Sequence, residues 1–150
     1  MTDRISAEQR KLNMQHIRSK NTSPELYLRK LLFSEGFRYR LYPGTIPGHP
    51  DIWLAKYNTA VFVNGCFWHR HAGCRYAYMP KSRVDFWSAK FAGNISRDRK
   101  IREDLEEKKI RVLTVWECTI RSMKKEKERE TEVLCSIREF LNSSETEAEL

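Results

Sequence analysis

The chain has 150 residues, with 40% hydrophobic and 11% aromatic side chains, 28 Lys and Arg against 20 Asp and Glu, four cysteines and a net charge of +8. That is enough apolar material for one packed domain without disulfide support, and it excludes a wholly disordered chain. The apolar runs are too short to span a membrane and the first residues are polar, so no membrane segment or export signal is expected and the cysteines are expected to stay reduced.

Ser6 with Gln9 reads as a capping box for a first helix carrying Leu12, Met14 and Ile17. Ser23-Pro24-Glu25 opens a second helix, with Ser23 as N-cap, Leu28, Leu31 and Leu32 inside and Gly36 ending it. Three strands are expected next, as an antiparallel meander: Phe37 to Leu41, Ile52 to Leu54 and Ala60 to Val63. A loop over residues 64–80 precedes a helix opened by Ser82 and Asp85, broken at Gly93-Asn94 and resumed through Ile101 and Leu105. Val112 to Trp116 reads as a strand buried on both faces. A last helix carries Val133, Leu134, Ile137 and Leu141. Residues 143–150 are acidic and Ser-rich and are expected to be flexible. The order implies an α/β fold, a mixed sheet flanked by helices.

Charge is uneven: the first hundred residues hold +11 and the last fifty −3. A basic body favours a polyanionic partner, because Lys and Arg release counterions from phosphates.

Two Cys and two His fall within residues 66–74, and Cys118 follows the expected core strand. Cys66, His71, Cys74 and Cys118 have the donor types and spacing of a structural zinc site; reduced, unliganded thiols are the plain alternative. Cys135 reads as a core thiol on an apolar helix face. His69, two residues from a ligand, is either a general base or a solvent-exposed loop histidine. His16 and His49 carry no assignment without partners. Asp51 at the start of a strand suits a hard cation such as Mg²⁺, although Pro-Asp is also ordinary loop chemistry. Glu25 offers a second acid, but acids also favour a first helical turn for dipole reasons alone. Phe67-Trp68 in the ligand loop is either core packing or an apolar wedge for DNA, with Arg70, Arg75, Lys81 and Arg83 gripping phosphates.

Arg18-Ser19-Lys20-Asn21-Thr22, Glu25, Pro47-Gly48-His49-Pro50-Asp51, the Val61 to His69 run, Phe86-Trp87, Asn94 and Val115-Trp116-Glu117-Cys118 together resemble the very-short-patch repair (Vsr-type) DNA mismatch endonucleases. The resemblance runs from about residue 10 to about residue 120. It implies a restriction-endonuclease-like core; the chain is expected to divide into residues 1–20 as a DNA-contacting helix, 21–142 as the endonuclease domain and 143–150 as the flexible acidic tail. It further implies nicking of double-stranded DNA 5′ to the thymine of a T·G mismatch left by 5-methylcytosine deamination, by a cytoplasmic monomer whose product passes to a repair polymerase and ligase. By position, Asp51 and the Val63 carbonyl would bind catalytic Mg²⁺, His69 would activate water and Glu25 would support the site. Phe67, Trp68, Trp87 and Met14 would enter the base stack, the Cys/His set would hold structural Zn²⁺, and Asn64, Arg70 and Asn94 are candidate phosphate contacts. Two departures stand out. Asn64 replaces a His of the family pattern, and two residues, Ala72-Gly73, separate His71 from Cys74 where one is also familiar. A nuclease for matched DNA and a non-catalytic zinc-stabilised DNA-binding module are the competing readings.

Overall fold

The computed structural model describes residues 6–9 and 20–150. Ser6 Oγ accepts the Gln9 N–H at 3.0 Å and residues 7–9 are helical, as the capping box implies. The rest of the expected first helix, with Met14 and His16, lies outside the described residues.

Helix α1 is Ser23–Ser34. Its cap is Thr22, not Ser23: the Thr22 hydroxyl accepts the Glu25 N–H at 3.4 Å. Leu28 and Leu32 are buried, and Gly36 at φ 92° ends the helix as its sequence position implies. The expected strand over Phe37 to Leu41 reduces to one antiparallel bridge, Arg40 with Trp53. Phe37 and Tyr39 pack on the core, and Tyr42 at φ 48° then turns the chain away, so the pairing does not propagate.

Strands β1 (Ile52–Leu54) and β2 (Thr59–Asn64) form an antiparallel hairpin in which Ile52 faces Val61. A 3-10 turn over Ala55–Tyr57 and left-handed Asn58 close it. Helix α2 (Val84–Glu107) carries the chain across to β3 (Arg111–Trp116), parallel to β2. Two details of α2 differ from expectation. It begins after left-handed Arg83 rather than at Ser82, and it runs unbroken through Gly93-Asn94. A glycine inside a helix costs only about 1 kcal/mol, and Asn94 is held by a tertiary hydrogen bond described below.

Two short helices follow, α3 (Glu117–Lys125) and α4 (Lys127–Leu141), then strand β4 (Glu147–Glu149). The segment expected to be a flexible tail is thus a sheet strand, parallel to β3 with Leu113 facing Ala148. Its acids do not repel the fold, because Arg102 pairs with Glu147 at 3.2 Å and Glu149 at 2.9 Å while Ala148 packs on the core. Cys135 is exposed, against the core-thiol reading: its place on α4 turns it outward, toward Glu139.

The mixed sheet runs β1-β2-β3-β4 with helices on both faces. Residue alternation divides its core. Ile52, Leu54, Val61, Leu113 and Val115 meet Leu28 and Leu32 of α1, Ile120 and Met123 of α3, and Val133 and Ile137 of α4. Ala60 and Val112 meet Leu105 of α2 on the opposite face. Gly48 keeps the approach to Asp51 flat against this second layer: at φ 80°, an added Cβ would lie 2.5 Å from Ile101 Cγ2. Among the described residues no helix is long and apolar enough to cross a membrane.

Candidate active site and metal centre

A cleft of about 690 Å³ opens between the start of α1, the ends of β1 and β2, the loop after β2 and one face of α2. Glu25, Asp51, Val63, Asn64 and His69 all line it, so the fold gathers acids and an imidazole that are far apart in sequence.

Asp51 stands at the mouth of β1, and its Oδ2 accepts the Val63 N–H of the neighbouring strand at 2.7 Å. Burial pushes its carboxyl up to about 7; the Val63 N–H opposes that shift, and the nearby charge of Glu25 adds to it. A carboxylate so desolvated is one that a divalent cation would restore to its charged form. Carboxylate oxygens such as those of Asp51 and Glu25, which line the same cleft, are the donor class that Mg²⁺ takes.

His69 sits four residues beyond Gly65, whose carbonyl accepts the His69 N–H at 3.1 Å. Its Nδ1 lies 2.7 Å from Asp98 Oδ2. That carboxylate selects the tautomer protonated at Nδ1, which leaves Nε2 as the nitrogen able to accept a proton. Asp98 was missed in the sequence. Its signal was there in Asn94 and Asp98, four apart on one face of α2, the face turned to the loop.

The other sequence candidates divide into two groups. Asn94, buried in α2, donates from Nδ2 to the Trp68 carbonyl at 2.9 Å and accepts from Arg97, so both ends of its amide are engaged within the protein. Arg70 donates to the carbonyls of Phe67 at 3.2 Å, Tyr78 at 3.1 Å and Ala77 at 2.8 Å, and its guanidinium lies 3.9 Å from the centre of the Phe91 ring. In this structure both residues pin the loop. Asn64 remains half-buried on the cleft wall. Lys90 and Arg97 also line the cleft and supply positive charge there.

Beside the cleft, donor atoms of Cys66, His71, Cys74 and Cys118 all lie within 4.8 Å of one another. Cys118 Sγ is 3.5 Å from His71 Nδ1. A zinc tetrahedron with bonds of about 2.0–2.3 Å has edges of about 3.3–3.8 Å, so the four donors need little movement to close on an ion. Burial pushes the Cys66 thiol up to about 12, so its thiolate needs a cation beside it. His71 stacks on Trp116, with ring centres 4.1 Å apart and planes 4° from parallel, which fixes the imidazole from behind. The loop folds back through His71 N–H to Cys66 O at 3.0 Å and Cys74 N–H to His71 O at 3.2 Å. Gly73 takes φ 72°, supplying the turn for the longer spacer.

Phe67, Trp68 and Trp87 are half-buried and pack on one another: Phe67 lies 5.1 Å from Trp68 and 5.4 Å from Trp87, and Trp68 lies 5.9 Å from Trp87. Phe67 also meets Phe91 edge-on at 5.1 Å. The rings are neither core nor free, and form an aromatic shelf at the rim with exposed Phe86 and Tyr78 beside it.

Comparison with known proteins agrees with this geometry. Residues 2–75 match the family described as DNA mismatch endonuclease Vsr. The chain is 48% identical over 120 residues to the type II nicking enzyme V.XorIIP of Xanthomonas oryzae pv. oryzae, covering 80% of this chain and 88% of that one. It is 44% identical over 122 residues to the type II nicking enzyme V.NmeAIP of Neisseria meningitidis, covering 81% and 86%. To the DNA mismatch endonuclease Vsr of Escherichia coli it is 37% identical over 125 residues, covering 83% and 80%.

Proposed function

Because this chain belongs to the Vsr family of DNA mismatch endonucleases, we propose that it nicks one strand of duplex DNA 5′ to the thymine of a T·G mismatch, using the Asp51 and His69 cleft. The observation that carries the reading is the union, in one cleft, of a desolvated Asp51, Glu25 and a His69 oriented by Asp98.

Asp51 and the Val63 carbonyl, with Glu25 in support, would hold Mg²⁺, and Cys66, His71, Cys74 and Cys118 would hold Zn²⁺. Bound there, Mg²⁺ would supply charge stabilisation where negative charge develops on the reacting phosphate. His69 takes the proton of the attacking water at Nε2 while Asp98 steadies the imidazolium through Nδ1. Water adds to phosphorus, the bond to the 3′ oxygen breaks, and that oxygen leaves and takes a proton from solvent, while the proton held by His69 is returned to solvent. Lys90 and Arg97 draw the phosphate backbone into the cleft.

The aromatic shelf would supply mismatch selectivity. Phe67 and Trp68 lie on a loop pinned by Arg70, Asn94 and the Cys/His cluster, and Trp87 packs on them from helix α2, so the rings meet the duplex preorganised. A T·G wobble pair is cheaper to unstack than a matched pair, so the insertion cost itself discriminates. Met14 would press from the opposite groove. One active site suffices for a nick, which fits a monomer in the cytoplasm feeding a repair polymerase and ligase.

Replacing His69 by Ala is expected to slow single-turnover nicking of a T·G duplex by about 10²–10⁴-fold, the range of a lost general base. Asn64→Ala removes one neutral hydrogen-bonding group and is expected to cost less than about tenfold. Rates measured for both variants in saturating Mg²⁺ check this, with EDTA abolishing all cleavage. Equal losses, or nicking that persists in EDTA, would contradict the assigned roles.

A further inference from the structure

Glu25 is 3% exposed, yet it lines the cleft. Three donors converge on one of its oxygens: Oε2 accepts from the Asn21 N–H at 3.1 Å, from Arg29 Nη2 at 3.1 Å and from the Tyr42 hydroxyl. The Tyr42 hydroxyl in turn accepts from Arg29 Nη2 at 2.6 Å and from the Asn21 N–H at 2.9 Å, and Asn21 Oδ1 accepts from Arg29 Nη1 at 2.8 Å. All of these bonds to Glu25 fall on Oε2, and none on Oε1.

The arrangement is costly to build. Arg29 is buried with its Nε unpaired, and Asn21 and Tyr42 hold left-handed backbones at φ 56° and 48°. A bulky residue such as Tyr is a genuine outlier there. Apolar side chains of similar volume would fill the space without burying either charge, so stability alone does not account for the network. The Tyr42 N–H also donates to the Pro50 carbonyl at 3.2 Å, one residue before Asp51. This backbone bond ties the Tyr42 side of the clamp to the residue before Asp51.

We infer that Arg29 and Tyr42 are positioning residues for the divalent-cation site: by saturating Oε2 they lock the Glu25 carboxylate and reserve Oε1 for the cleft beside Asp51. This rests on the nuclease reading above, in which Glu25 supports that site. The clamp is built from donors of this chain on both sides of the acid, so removing one donor loosens the carboxylate without deleting it.

Tyr42→Phe keeps the ring, and with it the contacts of Lys20 and Arg29 at 5.0 and 5.5 Å from its centre, but deletes the hydroxyl. Calorimetric titration of Mg²⁺ alone into the full chain is expected to show affinity weakened about tenfold, the usual loss for a partner that orients a ligand. Nicking of a T·G duplex at low Mg²⁺ falls in parallel and recovers in excess Mg²⁺, while DNA affinity measured without Mg²⁺ stays at the wild-type value. Arg29→Lys, where it folds, falls in the same direction, and Tyr42→Phe carries the test where it does not. In a Glu25→Gln background Tyr42→Phe adds no further loss. A Tyr42→Phe protein that melts lower but binds Mg²⁺ as the wild type does would show a merely structural clamp and overturn the inference alone. A wild-type protein that neither binds Mg²⁺ nor nicks any duplex would overturn the nuclease reading, and the inference with it.

Discussion

Asp51→Asn is expected to reduce nicking by at least about 10⁴-fold and, in the same protein freed of Mg²⁺, to raise the melting temperature. Both effects follow from one environment. The Asp51 carboxyl is held up to about 7 chiefly by burial, against an ordinary value of 3.8. The folded protein therefore binds this proton more tightly than the unfolded chain does, so stability is lost as pH rises from about 4 to about 7. Fully ionised without a cation, the group costs the fold about 2–4 kcal/mol by linkage. Asn keeps an oxygen for the Val63 N–H at nearly the same volume but carries no charge. Melting curves between pH 5 and 8 check the sign: the gap between variant and wild type widens with pH and shrinks on adding Mg²⁺. An Asp51→Asn protein that still nicks, or that is less stable than the wild type at pH 8, would contradict the metal role.

Removing zinc is expected to be the second large effect. Cys118 lies in the first turn of α3, directly after β3, and Cys66 follows β2, so the ion would join the ends of two paired parallel strands to the loop that carries Phe67, Trp68 and His69. Structural zinc contributes on the order of 10 kcal/mol in small zinc-folded peptides, and here part of that would be spent ordering the loop. Cys118→Ser, or stripping with a strong zinc chelator, is expected to lower the melting temperature by about 10 °C or more and to abolish nicking even in excess Mg²⁺. Metal analysis is expected to find one zinc per chain. An active, folded protein with no bound zinc would remove this part of the account.

The legibility of the chain followed its physics. Leu28, Leu32, Leu113, Val115 and Ile137 betray their elements by apolar spacing, and all five are buried. The Cys66, His71, Cys74 and Cys118 set was legible as a cluster for a similar reason, since soft side chains at short spacing have few other uses, and the fold brings their donor atoms within 4.8 Å of one another. What failed depended on tertiary partners. Phe37 to Leu41 alternates like a strand but finds a single bridging partner. Gly93-Asn94 resembles a break, yet the helix runs through it and Asn94 is anchored by a half-buried hydrogen bond to the Trp68 carbonyl. The acidic end reads as solvated until Arg102, at the far end of α2, is seen to neutralise it. The C-terminal α3 turn was hidden because Glu117-Cys118 continues an apolar strand without any breaker.

The candidate site divides the same way. Asp51, His69 and Glu25 were nameable from sequence with the family resemblance, and the fold brings them to one cleft. Asp98 and the Arg29 and Tyr42 clamp were not, because an ordinary helix Asp, a helix Arg and a loop Tyr acquire meaning only from what they touch. Arg70 shows the same dependence on partners: its charge alone suggests phosphate, and only the fold reveals that it also ties three carbonyls of the loop together.

The most direct measurement is a competition in one tube between two end-labelled duplexes identical except for a T·G or a C·G pair, incubated with the wild-type protein, Zn²⁺-replete and in Mg²⁺. A single break 5′ to the mismatched thymine on one strand is expected, with the C·G duplex left intact over the same time. Equal cleavage of both duplexes, or tight binding of both with no break in either, would contradict it.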